Sequence, residues 1–562
     1  MPTHALRPVA WLYALSCAPV VSAQTAPPTG NPLNTLPQIQ TPQPAPAAPL
    51  LMPDAELQLS KRLAPKLELS TVITTQRIDI AGVQAIPFAE VAALFQPLAG
   101  KSVTLEQLAL AVQQATQLYQ KAGFPLSFVY LPEQNFAQGI VQVRAVEGYV
   151  QQINIQGNVG KSEALLRAVA QPIADSRPLQ GDVFTHQTLI LARMLHLQVK
   201  AQANLPQTTD GVTPLLLEVE QQPVVFNLSG DFTQSNPKAI ANLTLNDALW
   251  AGSQWQFAGL LENPNKERFI SAAWNQWLNA HGTTMRLSFS DFKGKDNYTY
   301  SQLDDITTQR KLELSISHPW KLAAQTSTII GASPYGLNYG KRYEFTDPSR
   351  SDVQSQEKVR ALQAHMQWQK TGPQSSQNAK ATLTQGINGL GAGQQQTAGL
   401  LSNTARFDFS RLNVDYELRW RFQNLWGAAF AASGQASTDT LPTSERVSFG
   451  SWRFGRGYLA GEAAGDQGVG ASVELNRLIP LPNQRWIKSL EPYLLYEEAR
   501  TKFHRNTFAS QTLRSSSLGV RFGDQRTYAL DLSVSKPHGD KSLRNPKQKV
   551  RYSLSLTYQF DL

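Results

Sequence analysis

Hydrophobic and polar residues follow two different periods along this chain of 562 residues. Between about residues 72 and 222, apolar positions recur at helical spacing between short apolar runs. In residues 104–122 they fall three or four positions apart, and Thr104 with Gln107 forms a capping box. The pattern predicts two small α/β units in tandem, 72–148 and 149–222, each ordered strand, helix, helix, strand, strand. The predicted strands are 72–80, 126–130, 140–146, 150–155, 199–203 and 215–220, and the predicted helices are 104–122, 162–170 and 186–197.

From about Val224 the period changes to two. The clearest run is RLNVDYELRWRF, residues 411–422, in which large apolar residues alternate with polar and charged ones. This alternation is typical of strands with one apolar and one polar face. The final thirteen residues alternate in the same way and have the composition expected of a C-terminal strand signal. Its apolar face carries Tyr552, Leu554, Leu556, Tyr558 and Phe560.

A soluble β-sandwich could also alternate, but three features favour a transmembrane β-barrel over residues 223–562. The polar face carries full charges between large aromatic residues, the region is long for one sandwich, and the chain ends on an alternating strand. Lipid requires the apolar face, a watery lumen accepts the charged one, and closure leaves no unpaired edge. At roughly twenty residues per strand and connection, the region holds about sixteen antiparallel strands.

The N-terminus predicts export. Arg7, an apolar run and the small residues before Gln24 form a signal peptide over residues 1–23. A short transmembrane anchor is a weaker interpretation because the run is too short, and Cys17 lacks the large apolar residue that a lipoprotein has three positions earlier. Cys17 is the only cysteine, so the mature chain is expected to have no disulfide. Residues 24–71 form a proline-rich linker with a candidate short helix at 54–63.

Composition and motifs give no support for an enzyme, a cofactor or a metal. Charged residues are 17% of the chain and the net charge is +9. Because the basic residues are spread over the barrel, a solvated lumen is favoured over binding to nucleic acid. His186 and His196 stand ten residues apart, which is poor metal spacing. A compact carboxylate or Ser/His cluster at the outer rim would be the sign of an enzyme.

The glycine-rich stretch FGRGYLAGEAAGDQGVG, residues 454–470, has six glycines in seventeen residues, with Arg456 between two of them. It formally matches the dinucleotide fingerprint, but that motif needs a helix N-terminus after it, and the glycines here prevent one. An extracellular loop without a special role is the main alternative.

A third interpretation comes from resemblance. The two α/β units, the long barrel and this Arg-Gly-Tyr stretch together resemble the TpsB transporters of two-partner secretion. These are ShlB-type haemolysin secretion/activation proteins, within the outer-membrane assembly-factor superfamily, and their α/β units are POTRA domains. Residues 519–537 resemble strands of the family's penultimate region. Residues that match the family's POTRA junction are Pro132, Gln134, Gly139, Glu147 and Gly148.

The resemblance implies that the glycine-rich loop folds back into the barrel and that Arg456 pairs with an acid on the inner wall. The loop residues carried over are Arg456, Gly457, Tyr458, Gly465, Asp466 and Gly468. On the wall, Leu495 and Glu497 stand where the family has phenylalanine and aspartate, and Glu498 is a neighbouring competitor. A guanidinium in a narrow lumen needs a carboxylate, so the pair would hold the loop in place.

The function implied is that of an outer-membrane translocator. Its POTRA domains, in the periplasm of a Gram-negative bacterium, would capture an unfolded, TpsA-like exoprotein, which then passes through the barrel. The implied partners are this cargo, outer-membrane lipid, periplasmic chaperones and the barrel-assembly machinery. Two alternatives are an assembly or insertion factor of the same superfamily and a passive porin. The number of POTRA units and the junction motif argue against the first, and a porin leaves the units unexplained.

Overall fold

The protein is described from a computed structural model that covers Leu36 and residues 70–560, with short gaps. The gaps are 137, 195–196, 233–236, 264, 299–302, 346–350, 398–404, 505–508 and 542–545. The predicted signal peptide, the candidate helix at 54–63 and nearly all of the predicted linker lie outside the described residues. Leu36 is buried against Ile240 and Phe292 of the barrel.

The first α/β unit packs two helices on a three-stranded sheet. Its longer helix begins where predicted, because the Thr104 hydroxyl accepts the amide of Gln107 while the Gln107 side chain accepts the amide of Thr104. The apolar face of that helix, including Leu108 and Tyr119, is fully buried. The elements are β1 Val72–Thr74, β2 Arg77–Ala81, α1 Phe88–Phe95, a 3₁₀ turn Gln96–Leu98, β3 Ser102–Thr104, α2 Leu105–Lys121, β4 Phe128–Tyr130 and β5 Ile140–Val146. The sheet order is β2-β5-β4, and β1 pairs with β3.

The second unit repeats the plan with its own core. Its sheet order is β6-β8-β7, with β6 parallel to β8. Leu166, Ile173 and Leu215 are fully buried between the helices and the sheet. The elements are β6 Tyr149–Gly157, α3 Glu163–Asp175, α4 Gly181–Ala192, β7 Leu197–Ala203 and β8 Val212–Gln221.

Three predicted elements in these units are corrected by the structure. The predicted strand 72–80 is two strands, because the chain turns at Thr75, whose hydroxyl bonds to the carbonyls of Leu98 and Lys101. The helix predicted at 162–170 runs on through Pro172, since Ile173 lies fully buried in the core beyond it. The helix predicted at 186–197 is α4, which begins earlier and ends before the strand β7.

Among the described residues, sixteen antiparallel strands close into a barrel, which confirms the predicted fold class. The last strand pairs with the first, Phe560 opposite Phe226, so the sheet has no free edge. The strands are β9 Val224–Asp231, β10 Lys238–Asn246, β11 Ser253–Leu260, β12 Glu267–Trp277, β13 Thr284–Tyr298, β14 Leu303–Ala323, β15 Thr326–Phe345, β16 Val353–Thr371, β17 Ser375–Gly386 with its extension β18 Gly393–Gln396, β19 Ser410–Arg421, β20 Trp426–Ser437, β23 Gln467–Arg477 with its extension β24 Ile479–Pro480, β25 Ser489–Lys502, β26 Gln511–Gly523, β27 Tyr528–Pro537 and β28 Arg551–Phe560.

The barrel wall has an apolar outer face and a polar inner face. On β14, Leu312, Leu314 and Ile316 point outward and are 36–54% exposed. We call the end of the barrel beside the α/β units the near rim and the opposite end the far rim. Tryptophans gather at the near rim, as aromatic residues do at a membrane interface. They are Trp250, Trp255, Trp274, Trp277, Trp320, Trp368, Trp420, Trp426 and Trp486. In the described part of the chain, no helix combines the length and apolar character needed to cross a membrane.

The second α/β unit is fixed to the near rim by buried polar contacts. The Ser162 hydroxyl donates to Asp247 at 2.7 Å and accepts the amide of Gly252 at 3.0 Å. Asp247 also accepts that amide, at 2.8 Å. Trp277 of the barrel belongs to the apolar core of this unit. The unit and the first turns of the barrel therefore share one packed interface.

Candidate functional site

A long segment between β20 and β23 turns from the far rim into the barrel. We call this segment, residues 438–466, the lumen loop. Two short strands within it, β21 (Val447–Phe449) and β22 (Ala463–Gly465), pair antiparallel, and all of their residues are buried. They pack against β23, β25 and β26. The predicted fold-back of the glycine-rich loop is thus seen in the geometry of the chain.

The tip of the loop is a tight turn with unusual backbone angles. Gly450 has a φ of +127°, and a Cβ there would lie 2.0 Å from the carbonyl oxygen of Leu459. Ser451 and Phe454 also adopt the left-handed region, with φ of 53° each. Such residues cost about 1–3 kcal/mol each and are held by their surroundings. Here the Phe454 ring packs beside Gly470 of the wall.

The glycines named from sequence act mainly through close packing. None of Gly457, Gly465 and Gly468 has a φ in the left-handed region. A Cβ at Gly457 would lie 2.8 Å from the backbone nitrogen of Pro537, and one at Gly465 would lie 2.7 Å from the carbonyl oxygen of Lys502. At Gly468 it would lie 2.9 Å from Val447. These glycines therefore do not supply left-handed turns; they let the loop and wall backbones approach each other.

Arg456 projects from the tip toward the lumen side of β25 and β27. Its Nη1 donates to the Tyr493 hydroxyl at 2.5 Å and lies 3.4 Å from Asp531 Oδ2. The guanidinium also stands over the Tyr493 ring, 5.5 Å from its centroid. The carboxylate that the guanidinium contacts is therefore that of Asp531, on a strand that the sequence had not singled out as its partner.

Glu497 meets Arg456 through the main chain. Its Oε2 accepts the backbone amide of Arg456 at 2.8 Å and the hydroxyl of Ser515 at 2.9 Å. Glu497 is 3% exposed, so it is among the most buried acids of the wall. Glu497 therefore contacts the backbone of Arg456, and Asp531 contacts its side chain. The competitor Glu498 points to the outer face, where it pairs with Arg514.

A second arginine completes the polar cluster. Arg521 forms two hydrogen bonds with Glu474 and lies 3.5 Å from Asp531 through Nε. It also stands 4.1 Å from the Tyr493 ring centroid, so Tyr493 contacts both guanidinium groups. The Tyr493 hydroxyl donates to Asp531 at 2.6 Å. Arg456 thus joins an ordered network of alternating charge.

The base of the loop is anchored on a different part of the wall. Glu357 of β16 accepts the amide and the hydroxyl of Thr443, at 2.7 and 2.9 Å. Arg411 of β19 pairs with Glu445 at 2.7 Å, and the Tyr335 hydroxyl donates to Glu445 at 3.0 Å. The loop therefore crosses the lumen, with its base on β15, β16 and β19 and its tip on β25 and β27.

The remaining predicted residues are placed around this cluster. Asp466 is fully buried and accepts the amides of Leu441 and His504 at 3.0 and 2.8 Å. Tyr458 is buried, and its hydroxyl accepts the amide of Gly539 at 2.8 Å. Leu495 is buried on the lumen side of β25. The hydrogen bonds of Asp466 and Tyr458 therefore fix the loop to the far rim.

The C-terminal strand places its predicted residues on the outer face. Tyr552 is 72% exposed and Phe560 37% exposed. The Phe560 ring lies 5.1 Å from Phe226 of the first strand and 4.6 Å from Tyr558. The outward alternation of Tyr552, Leu554, Leu556, Tyr558 and Phe560 thus ends at the seam where the barrel closes.

Sequence reasoning missed Tyr493, Asp531, Arg521 and Glu474 as members of the site. Asp531 lies in the alternating run LDLSVS, where it looks like any other lumen-facing polar residue. Its place opposite Arg521 in the strand register is what brings it to the loop tip. Spacing along the chain carries no signal for such a contact, because the partners lie 75 residues apart.

These features define the class: an outer-membrane transport barrel whose lumen is occupied by its own loop. The family model of the haemolysin secretion/activation proteins ShlB/FhaC/HecB matches residues 239–522, and that of the ShlB-type POTRA domain matches residues 73–148. The chain belongs to the ShlB/FhaC/HecB family. It is a two-partner secretion transporter of the outer membrane, and its POTRA region is periplasmic.

Individual relatives agree with this assignment. The heme/hemopexin transporter protein HuxB of Haemophilus influenzae (strain 86-028NP) is 21% identical over 518 residues, 88% of each chain. The solved structure of CdiB from Escherichia coli has a TM-score of 0.65 at 15% identity, and covers 90% of this chain and 95% of its own. CdiB from Acinetobacter baumannii has a TM-score of 0.57 at 16% identity, over 90% and 96%. At 15% and 16% identity, the similarity to these two structures shows the fold alone.

Proposed function

We propose that this protein captures an unfolded, TpsA-like exoprotein through two POTRA domains, residues 72–148 and 149–222, and secretes it through its barrel, with the lumen loop as the gate. The observation that carries the proposal is the position of Arg456. The loop crosses the lumen, and its tip is held by hydrogen bonds and one ion pair in addition to a small apolar cluster that includes Phe454 and Tyr458. The polar contacts can be exchanged for water or for cargo.

The contacts of Arg456 are strong enough to hold the loop tip in the closed state and weak enough to be broken reversibly. Removing one partner of a buried ion pair costs about 3–5 kcal/mol, because a charge is left uncompensated. Arg456 and Asp531 are partly exposed, at 21% and 18% of their side chains, so this range is an upper bound. If the whole tip moves, both groups regain water, and the net cost falls. The loop can therefore be displaced without unfolding the wall.

Capture of cargo would use the edges of the periplasmic sheets. In the first unit β2 and β4 are edge strands, and in the second β6 and β7 are. An extended chain can add to such an edge by main-chain hydrogen bonds, which do not depend on cargo sequence. Folding of the cargo outside the cell would then give the transport its direction.

Two further partners belong to the biogenesis of the barrel itself. We propose that periplasmic chaperones and the barrel-assembly machinery deliver this chain to the outer membrane, with the aromatic outer face of β28 as the C-terminal signal. Outer-membrane lipid then surrounds the apolar face of the wall. Tyr552 and Phe560, which stand on that face, are accessible to such partners before closure.

The gating role is tested with Arg456→Ala. The loop tip loses its guanidinium contacts while Glu497 keeps the backbone amide, so we expect the secreted amount of cargo to fall by at least about 10-fold, the factor equivalent to ~1.4 kcal/mol. Cargo in the culture medium is measured by immunoblotting, and barrel insertion by heat-modifiable migration in gels. Arg485→Ala, which removes a cation from a near-rim loop, is the matched control. Wild-type secretion by the Arg456 variant would refute the gate.

A further inference from the structure

The outer face of the barrel carries a cluster of basic side chains on β12, β14 and β16, toward the far rim. Arg310 is 68% exposed and Arg268 is 48% exposed, and Lys358 is also exposed. Their side chains point away from the lumen, on the same face as the exposed Leu312 and Leu362. Cations on a lipid-facing wall are costly within hydrocarbon, so their height relative to the bilayer decides what they meet.

The height of the basic residues in the bilayer follows independently from two strands, β14 and β16. On β14, Arg310 precedes Trp320 by ten residues, and on β16, Lys358 precedes Trp368 by ten residues. Most of the intervening outward residues, such as Leu314 and Met366, are apolar; the exceptions are Arg360, next to Lys358, and His318, next to Trp320. Ten residues of strand tilted at about 45° rise about 25 Å, which is the height of the apolar band of an outer-membrane barrel. With the tryptophans at the periplasmic interface, Arg310 and Lys358 lie at the headgroups of the outer leaflet.

The strand between them has small residues at its outward positions. Asn338 of β15 pairs with Arg310 on one side and with Lys358 on the other. The next outward positions on β15 are Gly336 and Gly340, and the Arg360 guanidinium reaches over Gly336, 3.6 Å from where a Cβ would lie, to the Asn338 side chain. Arg310 and Lys358 therefore face each other across one strand, about 10 Å apart at their Cα atoms. We call this feature the basic depression.

The local charge favours an anion. Asp291 is the acid on the outer face beside Arg310, and both Arg310 and Arg268 contact it, at 2.7 and 2.6 Å. Arg360, two residues from Lys358, borders the other side and bonds to Asn338 at 3.2 Å. Three arginines and a lysine thus surround the depression against one carboxylate. Below it lie Leu312 and Leu362, which are 54% and 49% exposed.

We infer that the basic depression binds the phosphate groups of a phosphorylated glycolipid in the outer leaflet. The order of its groups matches that ligand: several cations at the headgroup level, among them Arg360 over the small residues of β15, and an apolar wall beneath for the acyl chains. Each cation near an anionic membrane surface contributes a favourable electrostatic interaction. The guanidinium of Arg310 can in addition form a bidentate contact with phosphate. The site is separate from the lumen loop and independent of the cargo.

The test is native mass spectrometry of the purified full-length protein, titrated with diphosphoryl lipid A. The double variant Arg310→Gln, Lys358→Gln keeps Arg268 on Asp291 and should bind about 30-fold more weakly than wild type, the factor expected when two headgroup cations are lost. The matched control is Lys321→Gln, Lys370→Gln, which removes two exposed charges from the near-rim ends of the same strands. Heat-modifiable migration verifies that each barrel is folded.

The lipid is varied as well, so that a failure of the variant to fold leaves the inference testable. Wild type should bind diphosphoryl lipid A at least about 10-fold more tightly than the same lipid without phosphates, and more tightly than phosphatidylglycerol. Equal binding of the phosphate-free lipid, or equal losses in the two double variants, would overturn the phosphate site. Equal binding of phosphatidylglycerol would overturn its assignment to a glycolipid.

Discussion

Arg456 contacts the wall through two different groups, and each group has its own acid. The guanidinium faces Asp531 and Tyr493, and the backbone amide donates to Glu497. A backbone contact survives truncation of the side chain, whereas a guanidinium contact does not. The two acids can therefore be told apart by experiment even though both lie beside the same residue.

A double-mutant cycle at the residue scale makes this distinction. We expect Arg456→Ala and Asp531→Ala to show a coupling energy of about 1–3 kcal/mol, as contacting charged residues do. The coupling of Arg456→Ala with Glu497→Ala should be smaller, because Arg456→Ala keeps the backbone amide that Glu497 accepts. The measured quantity is the open probability of single channels in planar bilayers. A larger coupling to Glu497 than to Asp531 would contradict the observed division of contacts.

Asp531 and Arg456 also show where prediction from sequence stopped. The chemistry of the loop, a lone arginine among glycines, was visible in the primary structure, and so was the need for a carboxylate. The identity of that carboxylate was not, because acids recur at many lumen-facing positions of alternating strands. Only the register of β25, β26 and β27 brings one of them to the loop tip.

At the scale of elements, α2 was predicted with its cap because local chemistry determines it. The tertiary hydrogen bonds that connect α2 to the rest of the unit could not be predicted from the sequence. The Tyr119 hydroxyl donates to Glu147 at 2.9 Å, and the same carboxylate oxygen accepts the amides of Gln84 and Ala85 at 2.6 Å each. Glu147, recognised as part of a junction motif, is thus the hydrogen-bond acceptor that joins the helix, the β2–α1 connection and the end of β5.

The hydrogen bond from Tyr119 to Glu147 predicts that the first unit loses stability at alkaline pH. Burial, and then the hydrogen bond to Glu147, raise the pKa of Tyr119 well above its ordinary value of 10.0. The stabilisation is present below pH 10 and is lost as the pH rises toward the folded-state pKa, because the unfolded tyrosine ionises first. Between pH 10 and 12 the first unit should lose at most about 1.4 kcal/mol of unfolding free energy per pH unit.

Tyr119→Phe should remove most of that slope, while Tyr130→Phe in the same unit is the control. Urea unfolding of the full-length protein in detergent is followed by circular dichroism at the helical band, since the described α-helices lie in the two units. An unchanged slope in the Tyr119 variant would contradict the assignment of the raised pKa to this residue.

At the scale of the whole molecule, the second α/β unit is joined to the barrel by packed and hydrogen-bonded contacts as well as by the chain. Ser162, Asp247 and Gly252 form a buried hydrogen-bonded group, and Lys161 donates to the carbonyl of Ala248 at 2.7 Å. The unit should therefore keep a preferred orientation beneath the lumen. This position would direct a captured chain toward the pore.

Ser162→Ala tests the contact between the second unit and the near rim. Losing the hydroxyl removes two buried hydrogen bonds and should weaken the contact by about 1–3 kcal/mol. Double electron–electron resonance between spin labels at positions 171 and 374 would show a broader distance distribution, with the barrel still folded. Ser176→Ala, in the same unit but without a rim contact, should leave the distribution unchanged. A narrow distribution in both variants would show that apolar packing around Trp277 suffices.

The sequence by itself determined the two periods, and with them the succession of α/β units and barrel, because alternation and helical spacing record which face of each element is apolar. The resemblance of the glycine-rich loop to that of the TpsB transporters implied, in addition, that its arginine pairs with an acid inside the barrel. Tertiary structure decided which carboxylate it met, where the loop was anchored, and how the second unit joined the rim. Those contacts join residues up to 110 positions apart. Strand register and barrel closure set them, and no local pattern along the chain encodes either one.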